Sequence, residues 1–89
     1  MPDITLTIHH RVGLHARPAS LFVQTAKKYD CDIQVTCDGR EANAKSILTV
    51  LALGAGQGAV ITIVAQGEDA ELALAALQAL VESNFGEEA

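Results

Sequence analysis

The sequence is poor in aromatic residues and has no long apolar run. Its 89 residues include no tryptophan, one tyrosine and two phenylalanines, so it lacks the stacking surface that holds single-stranded nucleic acid. No run approaches the ~18 apolar residues of a membrane span, and the first residues lack the basic, then apolar, pattern of a secretion signal. We therefore expect one soluble, cytoplasmic domain. Because the hydrophobic residues, 49% of the chain, are mostly aliphatic, we expect an aliphatic core.

Cysteine is also scarce. Cys31 and Cys37 share one face of a predicted strand and lie ~20 Å apart along it, too far for a disulfide. We expect free core thiols in a reducing cytosol, without a nearby base to activate them. Neither they nor the adjacent His9 and His10 show zinc-ligand spacing. The glycine-rich segment 54–58 is not followed by Lys-Ser/Thr. The sequence therefore predicts no metal site, no nucleotide cradle and no cofactor.

Basic charge is absent from the second half of the chain. All the basic residues precede residue 46: Arg11, Arg17, Lys27, Lys28, Arg40 and Lys45. The net charge of −5 disfavours nucleic acid and anionic membranes as partners. A locally basic site on an acidic body instead suits docking to proteins with acidic faces.

Hydrophobic periodicity predicts the element order β-α-β-β-α-β-α. The predicted strands cover 3–8, 31–37, 40–44 and 59–66, the helices cover 16–28, 47–53 and 70–85, and a frayed tail covers 86–89. Ser46 and Asp69 are the predicted N-caps. Alternation in three strands predicts an antiparallel sheet with helices on one face, and the last strand, apolar on both faces, is predicted to be internal. The pattern leaves the strand order open, since a ferredoxin-like order and an open-faced sandwich both fit.

One segment, Gly13-Leu14-His15-Ala16-Arg17-Pro18-Ala19, suggests chemistry. Pro18 is tolerated in the first turn of a helix, so His15 is predicted at a helix N-terminus, where unpaired N–H groups favour an anion. Arg17 adds a guanidinium, and Gly13 gives the chain a flexible approach. A histidine ring beside an anion site suits a phosphoryl acceptor, although spacing alone also fits an ordinary polar residue at a helix start.

The same segment resembles the active-site loop of the HPr family, the histidine-containing phosphocarriers of the bacterial phosphoenolpyruvate-dependent sugar phosphotransferase system. The resemblance covers Gly13–Ala19, with Ser20 where the family often has threonine. A second matching stretch, Asn43–Leu48 with residues 50–54, is similar to the family's signature around a regulatory serine. Residues 58–63 resemble its last strand. Both signatures stand at the correct spacing from each other.

The resemblance extends over about residues 4–85 and implies a single domain, 1–89, of the α+β class. The expected architecture is an open-faced sandwich, in which three helices cover one face of a four-stranded antiparallel sheet. The implied function is that of a phosphocarrier and not of an enzyme. His15 would accept phosphate on Nδ1 from phosphorylated enzyme I and pass it to enzyme IIA domains of sugar permeases. Arg17 and the backbone N–H groups of Ala16 and Arg17 would bind the phosphate, and the protein would act as a monomer.

The resemblance also implies regulation at Ser46, through phosphorylation by an HPr kinase/phosphorylase and recognition by a catabolite-control transcription regulator. It implies an apolar docking face beside the histidine, formed by Leu14, Ile47, Leu48 and Leu51. Leu48 and Leu51 stand where the family often has methionine. Two alternatives stay open at this point: a regulatory binding module that acts through phosphorylated Ser46, and a carrier in a nitrogen-related phosphorelay.

Overall fold

The computed structural model describes residues 2–86 and follows the predicted element order. The strands are β1, Asp3–Thr7; β2, Asp32–Cys37; β3, Arg40–Asn43; and β4, Val60–Gln66. The helices are α1, Ala16–Ala26; α2, Ile47–Ala52; and α3, Ala70–Glu82, followed by a 3₁₀ turn over Asn84–Gly86. Of the predicted tail, residues 87–89 lie outside the described residues. No helix within 2–86 is both long and apolar enough to cross a membrane.

The third helix ends earlier than predicted. It stops at Glu82 rather than near residue 85, because Asn84 and Phe85 adopt left-handed backbone angles, φ 59° and 57°, which do not continue an α-helix. The reversal returns the chain to the core, where Phe85 is buried.

The four strands form one antiparallel sheet in the order β1-β4-β2-β3. Strand β4 therefore lies inside the sheet, as its apolar residues on both faces predict. In register, Leu6 faces Ile61 and Val35 faces Ile63. The architecture is the open-faced sandwich, which settles the choice that periodicity left open.

Alternate residues of each strand build the core on one side of the sheet. The strands bury Leu6, Ile33, Val35, Cys37, Ala42, Ile61, Ile63 and Ala65, and the helices bury Ala19, Phe22, Val23, Val50, Leu74, Leu77 and Val81. The opposite side of the sheet is more polar; there the hydroxyls of Thr5 and Thr62 lie 3.3 Å apart. Burial on a single face fixes the register, because a shift by one residue would expose the whole apolar set.

Asp69 directly precedes α3, but contrary to the prediction its side chain does not cap the helix. Its backbone angles, φ −99° and ψ 18°, differ from the extended conformation of a capping residue, and its side chain makes no capping hydrogen bond. Instead its Oδ2 accepts the N–H of Asp30 at 2.8 Å. The carboxylate thus connects the loop between α1 and β2 to the start of α3.

The two cysteines are free and buried, as predicted. Burial raises the pKa of both the Cys31 and the Cys37 thiols, so less of each is ionised at a given pH. Because the thiolate is the reactive form, we expect alkylation of the native protein at pH 8 to be at least ~10-fold slower than in denaturant. A timed thiol titration with and without urea checks this. Equal rates in the two conditions would contradict the burial of the thiols.

Candidate functional site

His15 occupies the position immediately before α1. Its backbone is extended, with φ −138° and ψ 153°, and its N–H donates to the carbonyl oxygen of Gly13 at 2.9 Å. The residue is exposed, and its side chain makes no capping hydrogen bond. The imidazole therefore does not cap the start of the helix, and it is accessible to a reaction partner.

The first turn of α1 follows directly. Ala16 and Arg17 are exposed, whereas Pro18 and Ala19 are buried and anchor the turn on the core. Pro18 has no N–H to offer, so the backbone donors at the very start of the helix belong to Ala16 and Arg17. Ala16 enters the helix with φ 44°, a left-handed conformation that costs roughly 1–2 kcal/mol for a residue with a Cβ. The turn thus places the backbone N–H groups of Ala16 and Arg17 directly after His15 in the first turn of the helix.

Close packing against residues 55–56 holds the loop before His15. The N–H of Leu14 donates to the carbonyl oxygen of Ala55 at 2.7 Å. Gly13 has φ 69°, and a Cβ at this position would overlap the Ala55 carbonyl oxygen and the Cα of Gly56. Only glycine combines this backbone angle with so close an approach.

Leu14 does not belong to the exposed docking face. Its side chain is 2% exposed and lies among the largest buried side chains of the core. The expectation that Leu14 is exposed is wrong, because the loop turns its side chain into the core, whereas the next residue, His15, is exposed. Leu14 therefore anchors the loop next to His15 to the core and is not available for contact with a partner.

The glycine-rich segment 54–58 supports the loop along more of its length. Ile8 donates its N–H to the Ala59 carbonyl oxygen at 2.8 Å and accepts the N–H of Gly58 at 2.7 Å. The side-chain amide of Gln57 donates to the His9 carbonyl oxygen at 3.4 Å. From the sequence, this segment was judged only not to be a nucleotide cradle. No side-chain pattern in the sequence predicts that this segment holds the loop, because main-chain atoms make most of these bonds.

Ser46 stands at the N-cap of α2, but its side chain makes no capping hydrogen bond. Thr49 fixes this corner instead. Its Oγ1 accepts the N–H of Asn43 at 3.1 Å and lies within donating distance of two carbonyl oxygens, those of Asn43 at 2.9 Å and Ser46 at 3.1 Å. The Ser46 side chain, half-buried, is thus not required for the cap role predicted from the sequence.

Two apolar side chains of α2, those of Ile47 and Leu48, are exposed. Leu48 is 77% exposed and Ile47 38% exposed, whereas Leu51 is half-buried. The sequence analysis missed Val12, which is 55% exposed in the loop before His15. These side chains leave apolar surface on both the loop and the helix.

Residues that could suggest a metal site do not gather. Within residues 2–86, no three or more histidine, cysteine, aspartate or glutamate side chains form a group able to hold an ion. His9 is exposed and His10 is buried, so these adjacent side chains do not lie together on one surface.

Comparison with known proteins defines the class. Residues 3–83 match the family model described as "PTS HPr component phosphorylation site". The chain is 43% identical over 88 residues to the phosphocarrier protein HPr of Xylella fastidiosa, with 99% of each chain covered. The chain belongs to the HPr family, whose members are phosphocarrier proteins of the phosphotransferase system and not enzymes.

Two solved structures from Thermoanaerobacter tengcongensis are similar, each at 49% identity. HPr-C-His superposes with a TM-score of 0.97 and full coverage of both chains. A structure described as an HPr dimer superposes with a TM-score of 0.79, covering 98% of this chain and 100% of that one. The likeness extends over the sheet, the helices and the loop that carries His15.

Replacing Gly13 with alanine tests the close approach of the loop to residues 55–56. Gly39 is the matched control, since it also has a positive φ, 80°, but a Cβ there meets nothing within 4 Å. We expect Gly39→Ala to lower the free energy of unfolding by about 1 kcal/mol, and Gly13→Ala to lower it by about 2 kcal/mol more, because of the overlap. Urea unfolding measures both. Equal losses would contradict the packing described for Gly13.

A second pair of variants separates the two hydroxyls at the start of α2. Thr49→Val removes the hydroxyl bonded to Asn43 and Ser46, so we expect a loss of about 1–2 kcal/mol in unfolding free energy. Ser46→Ala removes no capping bond and should cost less than about 0.5 kcal/mol. Thermal or urea unfolding of both variants checks the order. A larger loss in Ser46→Ala than in Thr49→Val would show that Ser46 is the true cap.

Proposed function

We propose that this protein carries a phosphoryl group on His15, received from phosphorylated enzyme I and passed to enzyme IIA domains of sugar permeases. The supporting observation is the exposed His15 ring, which takes no part in capping and stands directly before the N-terminus of an 11-residue helix. A transferable group needs such a place: open to partners on one side and next to anion-binding amides on the other.

The transfer is a displacement at phosphorus. An unprotonated nitrogen of His15, Nδ1 in this proposal, supplies the electron pair for the new N–P bond. The bond between phosphorus and the donor breaks, and the donor keeps that electron pair. The Ala16 and Arg17 N–H groups and the Arg17 guanidinium stabilise the phosphate oxygens. Stabilisation of the loaded state must stay moderate, because excess binding would raise the barrier to onward transfer.

Docking in this proposal uses apolar side chains of the loop before His15 and of α2. Val12, Ile47, Leu48 and Leu51 supply apolar area, and Arg17 supplies positive charge. The rest of the protein is acidic, with net charge −5 for the whole chain, so a partner with an acidic face is oriented toward the Arg17 side. Brief encounters of this kind suit a carrier that meets two partners in turn.

Regulation at Ser46 is the second part of the proposal. The Ser46 hydroxyl makes no capping bond, and Thr49 already fixes the corner, so a modifying enzyme need not break the helix start. A phosphate there adds nearly two negative charges beside the docking residues Ile47 and Leu48. It would repel the acidic partners that His15 serves. An HPr kinase/phosphorylase would add the group, and a catabolite-control transcription regulator would recognise it.

We propose that the carrier works in the cytoplasm as a monomer, in the sugar branch of the system. A carrier of a nitrogen-related phosphorelay would share the same His15 chemistry. Offering the phosphorylated protein to IIA domains from both branches distinguishes the two, since the true acceptor removes the phosphoryl group faster.

Incubation with phosphoenolpyruvate and enzyme I tests the main proposal. Mass spectrometry should show one phosphoryl group on His15, acid-labile and base-stable. His15→Ala should lose it completely, whereas His9→Ala, which removes another exposed histidine, should keep it. Phosphorylation at another residue, or none in the wild-type protein, would contradict the proposal.

A further inference from the structure

We infer that His10 is a positioning residue for His15: its ring nitrogen holds the backbone turn that presents the phosphoryl acceptor. His10 is 7% exposed and lies within the buried part of the protein. The proposed transfer assigns it no part, and a buried polar side chain in the loop that carries the site calls for an explanation.

Two hydrogen bonds of His10 fall on its own loop. Its Nδ1 accepts the N–H of Val12 at 3.2 Å, and its carbonyl oxygen accepts the N–H of Gly13 at 3.0 Å. One residue therefore receives two successive backbone donors, which closes residues 10–13 into a tight turn. The side-chain bond has the pattern by which a short polar side chain holds the amide two residues ahead.

The core fixes the ring from the other side. The His10 and Phe85 rings meet edge to face, with centroids 5.8 Å apart and planes at 82°. Such pairs are favourable and directional. The ring is thus held in place by Phe85 and presents Nδ1 to Val12.

Gly13 and Leu14 connect this turn to His15, so the geometry of the turn determines where His15 lies. Gly13 is fixed between the His10 carbonyl and residues 55–56, and the Gly13 carbonyl accepts the His15 N–H at 2.9 Å. Leu14 is anchored by Ala55. If the His10 bond to Val12 is lost, the turn can open and the imidazole of His15 loses its fixed orientation to the first turn of α1. The cost falls on the rate of transfer, since small misplacements of reacting groups are expensive.

Three substitutions separate the acceptor from the packing. His10→Phe keeps an aromatic ring against Phe85 but has no acceptor, and His10→Ala removes both. His10→Asn gives up the ring, yet its Oδ1 can accept the Val12 N–H. His9→Asn, at the exposed neighbouring position, is the control for a substitution in this loop.

Two readouts are measured on folded protein, as verified by urea unfolding. The first is the Val12 amide proton shift, which reports the hydrogen bond without any partner. The second is the rate at which His15 accepts phosphate from phosphorylated enzyme I, resolved into kcat and KM. We expect His10→Phe and His10→Ala to move the Val12 amide upfield and to lower kcat about tenfold with little change in KM. His10→Asn should return the Val12 amide near its wild-type shift and bring kcat to within about twofold of the wild-type value. His9→Asn should change neither readout.

The outcomes judge this inference separately from the proposed function, on which its kinetic part rests. An unchanged Val12 amide in His10→Phe, or equal kinetic losses in His10→Asn and His10→Ala, would overturn the positioning role. If His10→Phe does not fold, His10→Ala against His10→Asn decides the question in the same way. If wild-type His15 accepts no phosphate, the proposed function fails, while the Val12 amide still shows whether His10 holds the turn.

Discussion

The site depends on main-chain hydrogen bonds between the loop that precedes α1 and the segment that precedes β4. Ile8 and Leu14 bond to residues 55–59, and Gly13 approaches that segment too closely for any side chain. These bonds fix where α1 begins, and the start of α1 fixes His15 beside the backbone N–H groups of its first turn. The sheet contributes by holding β1 next to β4, which keeps the two segments together.

Different residues hold the site in place and form its exposed surface. The fixed parts are buried: His10, Leu14 and Pro18 carry little exposed surface. The side chains proposed to meet a partner are few, and Val12, Ile47 and Leu48 among them are exposed, which favours fast release. A phosphocarrier needs this combination, because it must present its histidine in one geometry to unlike partners and leave each of them quickly. The acidic body and the basic side chain at the site favour rapid encounter over tight binding.

Much of this could be predicted from the sequence, for identifiable reasons. Hydrophobic periodicity gives the element order, and the apolar residues on both faces of β4 give its interior place in the sheet. The position of His15 follows from Pro18 and from the family resemblance. Periodicity does not encode the strand order, because one set of inward-facing residues fits more than one neighbour. Contacts made by main-chain atoms, such as those of residues 55–59, leave no side-chain pattern to read.

The individual errors also have physical causes. Leu14 was placed on the docking face by the family resemblance, but the loop turns its side chain into the core. Asp69 and Ser46 have the residue types of caps, yet a competing backbone N–H from Asp30 occupies the Asp69 carboxylate, and Thr49 fixes the start of α2.

The central claim is that the start of α1 holds the phosphoryl group on His15. Amide spectra before and after phosphorylation test it most directly: the account predicts the largest downfield shifts at Ala16 and Arg17, and unchanged Ala16 and Arg17 amides in protein phosphorylated on His15 would contradict it.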